Sequence, residues 1–478
     1  MAPAEKGSET STPRNVLVVC LDTVRADFFA DTAKRLQRLA DVTFTQCRAV
    51  SSWTVPSHAS MFTGKLPSEH GVHTHNRRFD TIDRDETFLA DLDGYTTFGV
   101  SANAFISPTY GFDSWLDEFS AIEPKHRYPE ATSLNEVSKE TEKSGVKKYT
   151  EYLQQAVAHD HPILSLKNTA LGYLHDATKS GPVPKQVDDG GSAVVRSATG
   201  HIDEADEPYF GFCNLMDAHT PLHPCQWFDS SLQGVPNSWT SSQYDVWELM
   251  DEPERHAEYW QLREQVYGAT IDYLDRILAE FVHEVLDSTG RETTIIVTAD
   301  HGENHGREAD DFLVNHKSSL SEGLLHVPLL LINPPEGYDS RETEYVTHLD
   351  FGTLVTGLAN GETPDVFRDR LPAELVGMSA GPEPPENREY WDRMIRCVYD
   401  GTTKTVWDSL GTRTEYEVDP DRPSWQQTVE TGEGTPAVES EFFNTPIEEA
   451  KTIAKGDKTD ETAVDSATES RLKELGYL

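Results

Sequence analysis

15-NVLVVCLD-22 is an unbroken apolar run that stops on an acid. Apolar from Val16 to Leu21, it reads as a buried parallel strand carrying its carboxylate to the C-terminal edge of a sheet. The same pattern returns at 293-TTIIVTADHGE-303. It follows 261-QLREQVYGATIDYLDRILAEFVHEVL-286, whose apolar residues recur at helical spacing before STGR ends the helix. A helix followed by a buried strand is a unit of an α/β fold. A third strand, 208-PYFGFCNLMDAH-219, again ends in Asp and His, and 327-VPLLLIN-333 is a fourth. Shorter strands are expected at 42-VTFTQCRAV-50 and 95-YTTFGVSAN-103. Three strand ends thus deliver Asp22, Asp217 with His219, and Asp300 with His301. Open parallel sheets bind ligands outside the carboxyl ends of their strands, so one site assembled from distant sequence is expected.

The stretch 51-SSWTVPSHASMFTGKLPSEHG-71 supplies a hydroxyl to that site. Pro56 pushes Val55 toward an extended conformation, which predicts a helix beginning near Ser57, with Ser57 capping it and Gly64 closing it. Thr54 then stands just before a helix N-terminus, where backbone dipoles favour negative charge. That is a suitable place for an anionic ester.

Composition narrows the class. The chain has 478 residues, 41 basic against 82 acidic, for a formal charge of −41. Self-repulsion of that size is tolerable where salt screens it, so the balance predicts an acidic, soluble, halophilic protein and argues against nucleic acid as a partner. The first residues, MAPAEKGSETSTPRN, lack the apolar core of a secretory signal, and no apolar run approaches the roughly 20 residues of a membrane span. The five cysteines, Cys20, Cys47, Cys213, Cys225 and Cys397, are odd in number and scattered, which predicts reduced, buried thiols in a cytoplasmic protein.

The organisation expected is a polar extension over 1–14, a catalytic α/β domain over 15–360 with an insertion at about 120–205, and a small C-terminal subdomain over 361–420. In the last, 390-YWDRMIRCVYDGTTKTVWDSLGTRTEYEVD-419 alternates like an antiparallel sheet with turns at Asp400-Gly401 and Leu410-Gly411. Residues 421–478 read as a mobile acidic tail with a short terminal helix, SRLKELGYL.

Asp22, Asp300 and His301 are ligand types suited to one divalent cation, Mg2+, Mn2+ or Ca2+, with Zn2+ admitted by the histidine. Such a cation neutralises an anionic substrate and makes a coordinated hydroxyl a usable nucleophile, which Thr54 would supply. His58, His219, His316 and Lys317 are candidates to hold the other ester oxygens or to protonate the leaving group. Asp217, His219 and His223 offer a second metal site, although the Asp-x-x-x-His spacing usual for one is absent.

The block TVPSHASMFTG resembles the signature of the sulfatases of the alkaline phosphatase superfamily, C/S-x-P-S-R followed by T-G. The resemblance extends to VVCLDTVRAD, LPSEHGV, MDAHTPLHP, VTADHGENHG, HKSSLSEGLLHVPLLL, THLDFGTLV and RCVYDGTTKTVW, in order, from residue 15 to about 420. It implies an alkaline-phosphatase-like sandwich with a large, mostly parallel central sheet flanked by helices, plus a small C-terminal α+β subdomain. It also implies Asp22, Asp300 and His301 as metal ligands, Thr54 as a nucleophile that touches the metal, and His219 and Lys317 as substrate contacts, a task His316 would share. The departures are informative. Thr54 occupies the position that sulfatases oxidise to formylglycine, so no formylglycine is expected. His58 replaces the arginine after Pro-Ser, and Thr23 replaces a second aspartate. The segment 99-GVSANAF-105 replaces Gly-Lys-Trp-His and leaves Asn103 as the substrate-binding group. These changes point from sulfate toward phosphoester, phosphodiester or phosphonate cleavage of a small anionic ester. Transfer of a phospho-linked head group to a glycan or lipid, or a non-catalytic role, are the alternatives.

Overall fold

β1 (Asn15–Leu21) is buried at all seven positions, as its unbroken apolar sequence requires of a strand with neighbours on both edges and helices on both faces. It belongs to an eight-stranded sheet in the computed structural model, which describes residues 12–123, 127, 128, 131, 146–178, 183–288, 290–456, 466–475 and 477. The other strands include β2 (Val42–Arg48), β3 (Thr96–Ser101), β4 (Glu118–Ala121), β5 (Tyr209–Leu215) and β6 (Thr293–Thr298). Across the sheet the order is Arg341–Thr347, β2, Leu329–Ile332, β6, β1, β5, β3, β4.

The sheet is parallel from β6 to β4, and the strand Leu329–Ile332 runs antiparallel to both β6 and β2. A four-residue apolar strand carries no mark of its direction in sequence, and the connection from β6, residues 299 to 328, is long enough for either direction. Register matters most for function. Cys20 pairs with Thr298 and with Asn214, and Ser101 pairs with Asn214. Two residues further along each strand, Asp22, Asp300 and Asn103 therefore emerge level at one edge.

Helix Ala257–Ser288 covers one face of the sheet, and Gly191–Glu204 packs on β5 and β3. The latter lies within the expected 120–205 insertion, yet it is part of the sheet's own helical layer. Residues 124–126, 129–130, 132–145 and 179–182 of that insertion, the 1–11 part of the polar extension, and 457–465, 476 and 478 of the expected tail lie outside the described residues. Among the described residues, no helix is long and apolar enough to cross a membrane.

A second sheet of five antiparallel strands follows, Arg370–Val376, Met394–Asp400, Thr403–Asp408, Thr412–Val418 and Gln426–Glu433. Its last strand falls in the stretch read as a mobile tail. That strand is an edge strand with six of its eight residues exposed, so no apolar alternation betrays it. The helix Ile447–Gly456 docks as well, burying Ile447, Ala450 and Ala454 against Trp407 and Met394.

A buried ionic cluster joins the two sheets. Glu322 pairs with Arg48 at the end of β2 (3.0 Å) and with Lys404 of the second sheet (3.1 Å), and accepts the hydroxyl of Tyr399. Burial alone would push this carboxyl up, but Arg48 and Lys404 outweigh it and hold it down at about 2. A depressed folded-state value stabilises the protein above the group's ordinary value of 4.5, and that contribution is lost as pH falls from there toward 2. Glu322→Gln leaves two buried cations uncompensated and is expected to cost about 3–5 kcal/mol in urea unfolding at pH 7. The wild-type margin over the variant should shrink below pH 4; equal stability of the two at pH 7 would refute this account of how the sheets are joined.

Candidate active site

Thr54 opens the helix Thr54–Thr63, directly after Trp53 in extended conformation, and Gly64 ends it in the left-handed region at φ 67°. The helix thus starts three residues earlier than expected. Pro56 falls in its first turn, where the backbone N–H it lacks would have had no intrahelical partner. Ser57 does not cap; its hydroxyl donates to the Ser51 carbonyl (3.0 Å).

Around the Thr54 hydroxyl the register-matched strand ends converge. Thr54 Oγ1 lies 3.4 Å from Asp22 Oδ2, 3.5 Å from His301 Nε2 and 3.3 Å from Asn103 Nδ2, and Asn103 also donates to Asp22 Oδ2 (2.5 Å). The bend after β1 is held by Thr23, whose φ of 62° is strained for a β-branched residue. Its carbonyl accepts the Tyr267 hydroxyl (2.5 Å), and its N–H donates to Asp300 Oδ1 (3.4 Å). Gly302 is required where it stands, since a Cβ would meet the Gly323 carbonyl oxygen at 2.0 Å.

Asp22, Asp300 and His301 are buried and present ligand atoms within 4.8 Å of one another, the one such group of three or more among the described residues. The donor set fits a divalent cation. His301 Nδ1–H donates to the Gly302 carbonyl (2.8 Å), which leaves the Nε2 lone pair facing the cluster. Asp22 Oδ1 and Asp300 Oδ2 accept no hydrogen bond, an expensive arrangement for buried oxygens unless something else satisfies them. Without a cation, burial pushes Asp22 up to about 8, with the Asp300 charge adding to it, and burial pushes Asp300 up to about 7.

The remaining candidates divide by position. His219, His316 and Lys317 line one cavity of about 430 Å3, together with Tyr244, Tyr259 and Tyr477. Burial lowers His219 to about 3, lowers His316 well below its usual range, and lowers Lys317 to about 8. At neutral pH the two imidazoles are therefore neutral, and the ammonium of Lys317 is the cation of this trio. His58 lies behind Thr54 instead. Its Nδ1–H donates to the Thr54 carbonyl (2.8 Å), and its ring packs against Phe112, Phe212 and Cys20. It is placed to hold Thr54 rather than an ester oxygen.

Asp217 does not join the cluster. Its two oxygens accept the N–H groups of Asp189 (3.0 Å) and Gly191 (2.9 Å), tying β5 to the start of the Gly191–Glu204 helix. Two groups were missed in sequence. Glu303, buried and ion-paired with Arg263 at 3.3 Å, follows the DHG turn and was legible as the last letter of DHGE. Tyr477 carries no local signal.

Residues 14–361 match the family model described as Sulfatase. Among solved structures, the chain is similar to a phosphonate monoester hydrolase from Silicibacter pomeroyi, at 16% identity and TM-score 0.53, covering 94% of this chain and 96% of that one. The phosphonate monoester hydrolase of Agrobacterium radiobacter gives 16% identity and TM-score 0.55, covering 94% and 97%. A 2-O GAG sulfatase gives 14% identity and TM-score 0.52, covering 86% and 87%.

Proposed function

The chain belongs to the sulfatase family of ester hydrolases, and on that premise we propose that it cleaves phosphorus esters, phosphodiester or phosphonate in preference to sulfate, with Thr54 as nucleophile. The observation that carries this is the Thr54 hydroxyl at a helix N-terminus, 3.4 Å from Asp22 Oδ2 and 3.5 Å from His301 Nε2. Threonine cannot be oxidised to the aldehyde whose hydrate releases sulfate, so a covalent intermediate on Thr54 must be one that water can open. A phosphothreonine meets that requirement.

Asp22, Asp300 and His301 would hold the divalent cation, which supplies charge neutralisation and a lowered hydroxyl pKa. The chain's own residues do the rest. Asp22 Oδ2 faces the Thr54 hydroxyl proton, Asn103 orients both groups, and the Lys317 ammonium meets an anionic oxygen of the ester or protonates the leaving group. Thr54 Oγ1 bonds to phosphorus as the alcohol departs, and water then cleaves the phosphothreonine with its attack on phosphorus. The acidic balance, and five buried cysteines all free of disulfides, support action in a reducing, salt-rich cytoplasm.

The test is a panel of matched aryl sulfate, phosphate monoester, phosphodiester and phosphonate substrates, in high salt with Mn2+, Mg2+, Ca2+ or Zn2+. A phosphorus ester should be turned over at least tenfold faster than the sulfate. Sulfate as the best substrate would reverse the preference.

A further inference from the structure

The helix Ser466–Glu474 and Tyr477 beyond it reach the candidate site. The helix docks through Leu472, and Tyr477 is 5% exposed and part of the main core. Its ring packs on Phe105 (4.9 Å between centroids), His219 (5.4 Å) and His316 (6.2 Å), and its hydroxyl lies 2.5 Å from His219 Nε2. Tyr477 lines the cavity that holds His316 and Lys317, and the His316 ring it packs on in turn meets the ring of His301 in the metal cluster (5.2 Å). Thr54, 1% exposed, does not line that cavity. The phenol therefore borders both the space where a substrate body fits and the cluster that would bind its anionic end.

Hydrogen-bond chemistry fixes what each group offers there. His219 Nδ1 lies 2.5 Å from the Thr220 carbonyl, which can only accept, so Nδ1 carries the proton of the neutral imidazole. Nε2 is then a lone pair, and the Tyr477 hydroxyl donates to it. An imidazole in that tautomer has no proton for an anionic ester oxygen and would face it lone pair to lone pair. Tyr477 can turn its O–H from His219 to the ester, which makes it the neutral donor at this wall beside the Lys317 ammonium.

We propose that Tyr477 is a substrate-binding residue, whose hydroxyl donates to a non-bridging oxygen of the ester and aligns the reacting phosphorus with Thr54. This rests on the phosphorus-ester reading above. His219 then acts through Tyr477, parking its hydroxyl in the empty site, rather than contacting the ester itself.

The decisive variant is Tyr477→Phe in the full-length, metal-loaded enzyme, since it keeps the ring and removes the donor. Its kcat/KM for the best phosphorus ester should fall about tenfold, as expected for one hydrogen bond to an anion, with Tm within about 2 °C of wild type. Calorimetric titration with inorganic phosphate should show a Kd weakened about fivefold or more. A chain ending at Leu475 should lose more activity still. Phosphate affinity and kcat/KM within twofold of wild type in Tyr477→Phe would overturn the assignment, as would a rise in kcat/KM on truncation, the behaviour of a plug. If wild type cleaves no ester, the functional reading fails, and phosphate titration alone decides this one: weaker binding by Tyr477→Phe upholds it, equal binding or no binding by wild type overturns it.

Discussion

Thr54→Ala is expected to reduce phosphorus-ester cleavage by ~10^3-fold or more, almost entirely in kcat, because on the proposed mechanism it deletes the atom that forms the covalent bond. A loss of that size corresponds to about 4 kcal/mol of transition-state stabilisation. The fold should hardly notice. The Thr54 hydroxyl makes only long contacts of 3.3–3.5 Å, and alanine is at home in the first turn of a helix, so a cost of roughly 1 kcal/mol is expected in chemical denaturation. Metal binding should persist, because the two carboxylates and the imidazole are untouched. Thr54→Ser restores the hydroxyl and should recover most of the activity, less whatever the methyl group contributes by fixing its rotamer. Retention of more than a tenth of the wild-type rate by Thr54→Ala would mean that water attacks the ester directly, and the reading of this threonine would be wrong.

The site was legible in sequence to the extent that strand ends announce themselves. NVLVVCLD and TTIIVTADHG each couple an apolar run to a terminal acid, and the parallel register of β1 with β6 then brings Asp22 and Asp300 level without further information. The third strand end misled, because NLMDAH has the same form while Asp217 is spent on the amides of Asp189 and Gly191. Those partners lie nearly thirty residues away at the start of a helix, and no local pattern marks them. The helix start at Thr54 was hidden by Pro56, whose local preference yields to a first turn that needs no N–H from it. The final strand and Tyr477 were hidden by composition. An exposed edge strand and a short amphipathic end look like a solvated tail until the surface that receives them is known. His58 was legible as a histidine near Thr54, but only the packing of Phe112 and Phe212 shows that its ring lies behind that threonine.

Removing the metal should make stability fall as pH rises, the opposite sense to an acid-labile salt bridge. In the cation-free protein Asp22 and Asp300 have folded-state values pushed up to about 8 and about 7 from an ordinary 3.8. A raised folded value favours the native state fully below pH 3.8, and that advantage is lost as pH climbs through 7 and 8, where two buried carboxylates must ionise side by side. The loss is on the order of several kcal/mol. Bound cation reverses it, adding about 2.7 kcal/mol at a metal concentration of 100 Kd, and more at higher pH, where protons no longer compete for the ligands. Thermal unfolding with and without chelator should therefore diverge as pH rises from about 4 to about 8, with the chelated protein losing Tm and the loaded protein holding it. Asp300→Asn separates the causes. It keeps the size of the side chain and removes one of the two charges, so the chelated variant should be at least as stable as chelated wild type at pH 8, while added metal raises its Tm little and ester cleavage falls by ~10^2-fold or more. Chelated wild type and chelated variant with the same pH dependence would show that the carboxylates are not in conflict. Metal then could not be what their unsatisfied oxygens await.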